Sequence, residues 1–426
     1  MNDRDWLARL EFFGIKLGLD TIAAILAELD LPHTKYPVIH LAGTNGKGSV
    51  AAMVSHALTV AGRRTGRYTS PHLVALEERF ALNGRAVAAS DLDRALHRVR
   101  GAVATLMERG ALDVEPTYFE ITTAAAFEIF CDQRVDIAVV EVGLGGRLDA
   151  TNVVAPAVTA ITSIDLDHEA HLGPTLAAIA TEKAGIIKPG VPVIVGALKP
   201  EALRAVATIA AAKGAPLVPS DGAEIDADSN GTGQYRVTVR TNRGTYGPVD
   251  LGLRGRHQIG NAVIAALVLE QLPADLAIDR TAVETGLRDA RWPGRLDLVA
   301  VGGRTVLVDG AHNPAGARAL ASYLSEANPH GLPIVFGVMA DKRAREMLAE
   351  LLPFARPLIV TRAPGARAAD PQMLASMCPD APAAIVVEPS IERALATAWS
   401  ANDAIAVAGS LYLAGEVYRL LDVPIA

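Results

Sequence analysis

The sequence VIHLAGTNGKGS at residues 38–49 joins an uninterrupted apolar run to a glycine-rich turn. Residues 38–42 predict a buried strand, and residues 50–61 continue with the pattern of a helix. Gly43, Gly46 and Gly48 let the backbone turn tightly and approach an anion closely. In a strand–loop–helix unit, the amides of the turn and of the helix N-terminus point at phosphate oxygens. The stretch therefore predicts a phosphate-binding loop in an α/β fold.

The spacing of this loop differs from the common phosphate-loop pattern G-x-x-x-x-G-K-[ST]. Only two residues separate Gly43 from Gly46, and Gly48 lies between Lys47 and Ser49. Lys47 is placed to give a positive charge to the β- and γ-phosphates, and Ser49 to ligate Mg²⁺. A flexible glycine-rich turn is the alternative interpretation. The preceding strand and the lysine favour phosphate binding.

Further apolar runs alternate with helical patterns on both sides of a Pro-Gly break. Before the break, the runs at residues 137–140, 157–161 and 193–195 predict a parallel sheet covered on both faces. Residues 220–247 predict an antiparallel hairpin, with a turn at Asn230-Gly231. After the break, five more strands are predicted, at residues 306–308, 334–336, 358–360, 385–387 and 405–407. We therefore expect a first domain at 1–290, a linker at 291–295 and a smaller α/β domain at 296–426.

Composition narrows the class of protein. The 426 residues include 40 basic and 47 acidic ones, and the net charge of -7 argues against nucleic acid as the main partner. Two distant cysteines, Cys131 and Cys378, fit a reducing cytoplasm better than a disulfide framework. The charged first residues lack a signal-type apolar core, and no apolar run is long enough to span a membrane.

A series of motifs then runs through the chain. After the loop come YTSPHL at 68–73, EVGLGGRLDATN at 141–152, DH at 167–168, EKAGI at 182–186, HQ at 257–258 with Asn261, WPGR at 292–295, DGAHNP at 309–314 and GSLY at 409–412. Together with the loop, this series resembles folylpolyglutamate synthase and dihydrofolate synthase, members of the Mur ligase superfamily. The resemblance implies a P-loop NTPase-like Mur ligase central domain with a parallel sheet, followed by a Rossmann-like C-terminal domain.

The reaction that the resemblance implies is amide formation. In this family ATP phosphorylates a pterin-linked carboxylate, and the amino group of L-glutamate attacks the acyl phosphate. We expect ATP and Mg²⁺ as cofactors, and L-glutamate with dihydropteroate or a reduced folate as substrates. The expected protein is a cytoplasmic monomer without nucleic acid or membrane partners.

Several activities stay open at this stage. Both dihydrofolate synthase and folylpolyglutamate synthase activity are expected, and folylpolyglutamate synthase activity alone is one alternative. A muropeptide-type amide ligase is another, but such enzymes normally carry an extra N-terminal domain, for which a loop starting at Gly43 leaves no room. A nucleotide-switched binding module without catalysis is the alternative from another class.

The resemblance also assigns roles to individual residues. The residues expected to contact ATP are Gly43, Thr44, Asn45, Gly46, Lys47, Gly48, Ser49, Asn261, Arg295, Asp309 and His312. The expected Mg²⁺ ligands are Ser49, Ser70, Glu141 and His168. The expected catalytic residues are Lys47, Lys183, His168, Arg295 and His312, and Lys183 is also the expected site of carbamylation. Phe119 and Asp149 are expected to bind the pterin.

Each assignment has a plainer alternative. Glu141 follows a buried strand, where a carboxylate suits Mg²⁺ but could also be satisfied by helix amides. Ser70 could be a turn residue and His168 a packed histidine. Lys183 could be an unmodified lysine paired with Glu182 or a phosphate.

Three further residues also stay open. Arg295 could form a salt bridge with Asp297, and Phe119 could be a core residue. Arg343 departs from the acidic residue that the family suggests after Asp341-Lys342, so its role is open.

Overall fold

The structure, a computed structural model, describes residues 2–10, 14, 16–378 and 384–425. Among these residues, eight strands form the first sheet. They are β1 (Val38–Ala42), β2 (Thr65–Tyr68), β3 (Phe80–Leu82), β4 (Arg85–Ala86), β5 (Ile137–Glu141), β6 (Val158–Ile161), β7 (Val193–Val195) and β8 (Leu217–Pro219). The order is β4-β3-β2-β5-β1-β6-β7-β8, and the pairs are parallel except β2–β3 and β3–β4. The predicted parallel sheet is thus confirmed.

Helices cover both faces of this sheet. They are α1 (Asp3–Leu10), α2 (Asp20–Glu28), α3 (Lys47–Val60), α4 (Ala89–Glu108), α5 (Tyr118–Asp132), α6 (Glu169–Leu172), α7 (Leu176–Ala184), α8 (Pro200–Ala212), α9 (His257–Glu270) and α10 (Arg280–Asp289). Ile39 and Leu41 of β1 pack with α3, α9 and α10, whereas Val38 packs with α1, α2, α4 and α5. Because both faces are covered, β1 is buried along its whole length.

A small antiparallel sheet packs against the α3 side of this core. Its strands are β9 (Glu224–Ser229), β10 (Tyr235–Arg240) and β11 (Thr245–Asp250). Tyr235, Val237 and Val239 of the central strand are buried and alternate with residues facing outward. The predicted hairpin is confirmed, including the turn at Asn230-Gly231, and a third strand extends it to Asp250.

The second large sheet lies C-terminal to residues 291–295. Within the described residues it has six strands: β12 (Asp297–Val301), β13 (Arg304–Val308), β14 (Leu332–Phe336), β15 (Ala355–Val360), β16 (Ile385–Val387) and β17 (Ala404–Ala408). The helices around it are α11 (Pro314–Ala327), α12 (Ala344–Leu351), α13 (Pro371–Ser376), α14 (Ile391–Ala401) and α15 (Leu411–Leu420). The order is β12-β13-β17-β14-β15-β16, with only β12–β13 antiparallel. The five predicted strands are confirmed.

Some strands were not predicted. β3 and β4 are very short, and the residues of β4 are exposed. β12 is an edge strand in which only Val299 is buried. Short and edge strands give a weak sequence signal because their pairing partners, more than their own residues, hold them in place.

The described residues contain neither a membrane-spanning helix nor a disulfide bond. No helix in the described parts of the chain is both long and apolar enough to cross a lipid bilayer. Cys131 and Cys378 are free cysteines.

Candidate active site

A cavity of about 710 Å³ lies between the first sheet and the second one. It is lined by the phosphate loop, by the carboxyl end of β5, by the start of α5 and by loops after β13, β14 and β17. Open α/β sheets place their ligands at this end of the strands. Every residue to which the sequence analysis assigned a site role lines this cavity. The fold thus brings together side chains that lie far apart in sequence.

The phosphate loop is held by the segment that follows β6. Thr44 N–H donates to the Ser163 carbonyl at 2.8 Å, and Asn45 N–H donates to Ser163 Oγ at 2.9 Å. Thr162 Oγ1 donates to the Asn45 carbonyl at 2.6 Å. A Cβ atom on Gly43 would lie 2.0 Å from Thr162 Oγ1, so only glycine fits there. Thr162 and Ser163 were not among the predicted site residues, although a polar pair directly after a buried strand is a signal for such a role.

Two lysines converge on one carbonyl of the loop. Lys47 Nζ donates to the Gly43 carbonyl at 2.9 Å, and Lys183 Nζ donates to the same oxygen at 3.0 Å. Burial and the charge of Lys47 lower the pKa of Lys183 to about 7. Glu182 forms its ion pair with Arg147 at 2.9 Å, so the alternative pairing of Lys183 with Glu182 is not what the structure shows.

Oxygen donors for a divalent cation lie beside the loop. Glu141 is 5% exposed, with Oε1 3.8 Å from Lys47 Nζ, and it accepts a hydrogen bond from the Ser70 amide. Burial raises the pKa of Glu141, and the charges of Lys47 and Arg295 partly offset this effect. Ser49, at the start of α3, is also buried. Glu141 therefore stays beside the loop as a desolvated carboxylate with cationic neighbours.

His168 lies at the edge of the cavity. Its side chain keeps 43% exposure, and its backbone adopts a left-handed conformation with φ of 51°. Partial burial, together with Lys342, Lys183 and Lys47, lowers its pKa to about 4 despite the opposing charge of Asp167. The imidazole is therefore neutral near pH 7, which is the form that can ligate a metal.

These donors fit Mg²⁺ only as a partial set. Among the described residues, no group of three or more His, Cys, Asp and Glu side chains is placed to hold a metal ion. Mg²⁺ usually keeps several waters and binds proteins through one or two carboxylates plus substrate phosphates. Ser49, Ser70, Glu141 and His168 fit that mode, in which the phosphates complete the shell.

Helix α9 supports the start of α3. Gln258 is fully buried, and its Nε2 donates to Ser49 Oγ at 3.2 Å. Asn261 Nδ2 donates to Gln258 Oε1 at 2.8 Å. A Cβ atom on Gly46, whose φ is 89°, would lie 2.5 Å from Asn261 Oδ1. Asn261 thus lies directly against the loop, and Gln258 orients both Asn261 and Ser49.

The C-terminal side of the cavity carries Asp309, His312 and Arg295. Asp309 accepts hydrogen bonds from the amides of Leu296 and Ala311, both at 2.8 Å. Burial raises the pKa of Asp309, whereas Arg295 opposes this shift. Burial, with Arg295 and Lys342 nearby, lowers the pKa of His312 to about 4. The charge of Arg295 therefore acts on Glu141, Asp309 and His312. The alternative, a salt bridge between Arg295 and Asp297, is not supported, because Asp297 accepts a hydrogen bond from the Tyr418 hydroxyl.

Asp167 connects the two sides of the cavity. Its carboxylate accepts from Lys342 Nζ at 2.6 Å and from Asn313 Nδ2 at 3.0 Å. Burial alone would raise the pKa of Asp167, but Lys342, His168 and His312 outweigh it and hold the pKa well below its usual range. The motif at residues 167–168 did not indicate that Asp167 connects the two sides, because Lys342 and His312 come from distant segments of the chain.

A second arm of the cavity holds the two candidate pterin residues. Phe119 is half-buried, and a Cβ atom on Gly143 would lie 2.4 Å from its ring, so the ring packs on the Gly143 backbone. Thr117 caps α5 and exchanges hydrogen bonds with Glu120, which fixes the turn that carries Phe119. Phe119 also packs against the core, as the alternative interpretation expects, and its role with the pterin stays a prediction.

The carboxylate of Asp149 is engaged in its own loop. Oδ2 accepts from the Leu144 amide at 2.8 Å, and Oδ1 accepts from Thr151 N–H at 3.0 Å and from Thr151 Oγ1 at 2.5 Å. Asp149 lines the cavity, but it is 5% exposed. Its hydrogen bonds hold together the loop at residues 144–151, which forms one wall of this arm.

Comparison with known proteins gives two family matches. The Mur ligase middle domain matches residues 41–269, and the glutamate ligase domain of Mur ligases matches residues 294–411. The dihydrofolate synthase/folylpolyglutamate synthase of Bacillus subtilis is 36% identical over 82% of this chain and 81% of its own length.

Two further comparisons extend over nearly the whole chain. A probable bifunctional folylpolyglutamate synthase/dihydropteroate synthase of Haloferax volcanii is 36% identical over 97% of this chain, which spans about half (49%) of that relative's length. The structure of Escherichia coli FolC in complex with DHPP and ADP is similar with a TM-score of 0.88 and 30% identity, covering 99% of this chain and 98% of that one.

Proposed function

The chain belongs to the dihydrofolate synthase/folylpolyglutamate synthase family of Mur ligases, and from this premise we propose that it uses ATP to join L-glutamate to dihydropteroate and to reduced folates. The observation that carries the proposal is the shared cavity, in which the phosphate loop, Asp309 and His312 lie at one end and Phe119 at the other. Nucleotide and pterin can therefore occupy one continuous space. The DHPP and ADP complex of the E. coli relative supports both ligands.

The proposed chemistry has two steps. A carboxylate oxygen of the pterin substrate attacks the γ-phosphorus of ATP, and ADP leaves. The amino nitrogen of L-glutamate then attacks the acyl carbon, inorganic phosphate leaves, and the nitrogen loses a proton. Bound Mg²⁺ would neutralise charge on the β- and γ-phosphates. Holding both substrates in one enclosed site makes each attack effectively intramolecular.

Residues of the loop and of the C-terminal side would hold the nucleotide. Gly43 to Ser49 offer amides and the Lys47 charge to the phosphates, and Asn261 supports the loop. Arg295 and His312 would face the γ-phosphate from the other side, where a guanidinium fork matches phosphate oxygens. Ser49, Ser70, Glu141 and His168 are the proposed magnesium ligands.

Two proposals concern the acceptor side of the site. Lys183 is the proposed carbamylation site, which its lowered pKa supports because the neutral amine is the form that reacts with CO₂. Phe119 is the proposed stacking residue for the pterin. Asp149 is buried and already accepts three hydrogen bonds within its own loop, so Phe119 is the stronger candidate.

We further propose the organisation of the whole protein. Residues 1–290 and 296–426 would be two domains joined by the linker 291–295, which the two separate sheets support. The protein would act as a monomer in the cytoplasm, and the free cysteines Cys131 and Cys378 fit that compartment.

A substrate panel tests the function. The purified chain with ATP, Mg²⁺ and L-glutamate should release ADP when either dihydropteroate or tetrahydrofolate is added, and each product should gain one glutamate by mass. If ADP is released with tetrahydrofolate but not with dihydropteroate, the chain has folylpolyglutamate synthase activity only. Release only with a UDP-muropeptide would indicate the other Mur ligase activity. No substrate-dependent release would favour a binding module.

A further inference from the structure

The side chain of Trp292 lies directly against the first turn of α3. A Cβ atom built on Gly48 would lie 2.6 Å from both Cε2 and Nε1 of the indole and 2.7 Å from Cζ2. Such distances are far inside van der Waals contact, so no larger residue fits at position 48 unless the indole moves. Trp292 is half-buried and packs on the same core as α3.

The backbone of Gly48 does not itself require glycine. Gly43 and Gly46 have φ of 149° and 89°, in the left-handed region, whereas Gly48 is the second residue of α3 and is not in that region. Alanine is the better residue in a regular helix by roughly 1 kcal/mol. The glycine that interrupts the usual Lys-Ser pair of phosphate loops is therefore required by the indole of Trp292.

Arg67 of β2 holds the indole in place. Its guanidinium carbon lies 4.8 Å from the centroid of the Trp292 ring, within the range of a cation–π contact. Within the described part of the chain, the buried Nε of Arg67 has no hydrogen-bond partner. The indole is thus the aromatic neighbour of a buried guanidinium, and a cation–π contact strengthens when it is desolvated.

The other end of the same short segment is bonded to the C-terminal side of the cavity. Gly294 N–H donates to Tyr418 Oη at 2.8 Å, and the Gly294 carbonyl accepts from Gly310 N–H at 2.8 Å. The next residue, Arg295, lines the cavity. Only Pro293 and Gly294 separate the indole that contacts the loop helix from the guanidinium that faces the phosphates.

We propose that Trp292 is a positioning residue for nucleotide use: clamped by Arg67 against Gly48, its indole sets the distance between the phosphate loop and Arg295. Filling the loop with phosphate fixes the first turn of α3, which fixes the indole and so the linker and its arginine. The proposal rests on the proposed function, because it takes ATP as the ligand of the loop. It assigns a role that neither the motif nor the cavity lining indicates, since Trp292 does not line the cavity.

A double-mutant cycle on ADP affinity tests the contact. Gly48→Ala should raise the Kd for ADP at least tenfold, because its methyl group overlaps the indole. In a Trp292→Ala background, Gly48→Ala should raise the Kd for ADP less than twofold, because the overlap is gone. The proposal would be overturned if the fold-increase in Kd in the wild type were less than three times that in the Trp292→Ala background, or if Gly48→Ala left the Kd of the wild type unchanged. Thermal unfolding of each variant checks that it folds.

This readout separates the inference from the proposed function. ADP binding by the wild type needs no ligation chemistry, so the cycle is interpretable whatever the acceptor substrate proves to be. If the wild type binds ADP but the two costs are equal, the role of Trp292 is wrong and the proposed function stands. If the wild type does not bind ADP, both are wrong.

Fluorescence and kinetics test the positioning itself. The chain has three tryptophans, so Trp6→Phe/Trp399→Phe leaves Trp292 as the only indole. Its emission should shift on titration with ADP, and an unchanged spectrum under saturating ADP would contradict the proposal. Trp292→Leu should raise KM for ATP at least fivefold with KM for L-glutamate changed less than twofold. Trp292→Phe, which keeps a ring on Arg67, should recover most of that loss; equal losses in both variants would also contradict it.

Discussion

At the scale of single residues, burial changes what a side chain can do in this cavity. Lys183 is 5% exposed and binds the Gly43 carbonyl, and its pKa falls to about 7 because burial and Lys47 disfavour its charge. Glu141 and Asp309 shift in the opposite direction for the same reason, since burial also disfavours their negative charge. A lysine that is partly neutral near pH 7 can react with CO₂, whereas an exposed lysine is almost fully protonated there.

The first prediction concerns this lysine. In ¹³C NMR with labelled bicarbonate, the wild type should show a carbamate signal that is absent in Lys183→Arg. Because the neutral amine increases as pH rises through about 7, the signal should be weaker at pH 6 than at pH 8. Lys183→Gln should lower kcat about 100-fold, a typical loss for removal of one preorganised charge. Lys188→Gln is the matched control, since Lys188 is half-buried outside the cavity and bonds the Asn152 carbonyl; an equal loss there would contradict the role.

The same shift predicts a pH dependence of stability. An unmodified Lys183 has an ordinary pKa of 10.5 when unfolded and about 7 when folded. Between these values the unfolded chain binds a proton that the folded chain does not, so the contribution of Lys183 to the free energy of unfolding increases with pH. Denaturant titrations at pH 7 and 9 should show the free energy of unfolding of the wild type rising relative to that of Lys183→Met, and a relative fall would contradict the shift.

A further prediction concerns the ring that packs on Gly143. Phe119→Ala should raise KM for dihydropteroate at least tenfold, because the stacking contact between the phenyl ring and the pterin is lost. Stacking of a nucleic-acid base on an aromatic side chain, a comparable contact, contributes about 1–3 kcal/mol. KM for ATP should stay within twofold, since Phe119 lies in the other arm. Phe119→Tyr keeps the ring and serves as the control. An unchanged KM for dihydropteroate in Phe119→Ala would leave only the packing role.

At the scale of elements, two loop segments meet across the cavity. The segment after β6 contributes Asp167 and, at the first position of α6, Glu169. The segment between β14 and α12 contributes Lys342 and Arg343. The Lys342–Asp167 pair is well buried, with exposures of 12% and 8%. Arg343 binds Glu169 through Nε and Nη2 at 2.9 and 3.0 Å. An acidic residue at 343 would face Glu169, so the basic residue in this chain has a physical reason.

The corresponding prediction is a charge swap. The Arg343–Glu169 pair is partly exposed, at 39% and 30%, so it contributes less than about 1 kcal/mol. Arg343→Glu should therefore raise KM for ATP only two- to fivefold, and Glu169→Arg/Arg343→Glu should restore it. High salt should shrink the difference. A double variant no better than the single one would show that the ion pair does not hold the two loops together.

At the scale of the whole molecule, the two sheets have separate cores and meet around the cavity. Alternate residues of β14, such as Ile334 and Val335, point into two different clusters on the two faces of the second sheet. Besides the linker and the loops, β10 reaches the second sheet's side through Tyr235, whose hydroxyl donates to Glu326 at 2.5 Å. Nucleotide would therefore add a further connection between the two sheets, beside the ion pairs that the loops form across the cavity.

This arrangement predicts how nucleotide affects unfolding. Calorimetry of the chain alone should show two transitions, and saturating ADP should merge them. At 100 times its Kd, ADP should add about 2.7 kcal/mol to the free energy of unfolding. Lys47→Met should abolish the shift. If ADP stabilises only one of the two transitions, the nucleotide does not bridge the two sheets.

Local pattern was enough for much of this architecture. The phosphate loop between β1 and α3 was predictable because a buried strand, a glycine turn and a lysine lie within a few residues of one another. Most of the buried strands of both sheets were predictable for the same reason, since an apolar run is a property of a short segment. The edge strands β4 and β12 and the short β3 beside β4 were not, because their pairing partners define them.

The sequence by itself determined the family, the strand–loop–helix that can bind phosphate, and many of the residues that line the cavity. Only the tertiary structure decided why some of those residues have the identities they do. Gly48 is glycine because Trp292 lies against it, and Asp167 keeps a low pKa because Lys342 lies beside it. Asp149 accepts its hydrogen bonds from residues of its own loop. The reason is physical: these properties depend on contacts between segments distant in the chain, and such contacts exist only once the sheets have packed.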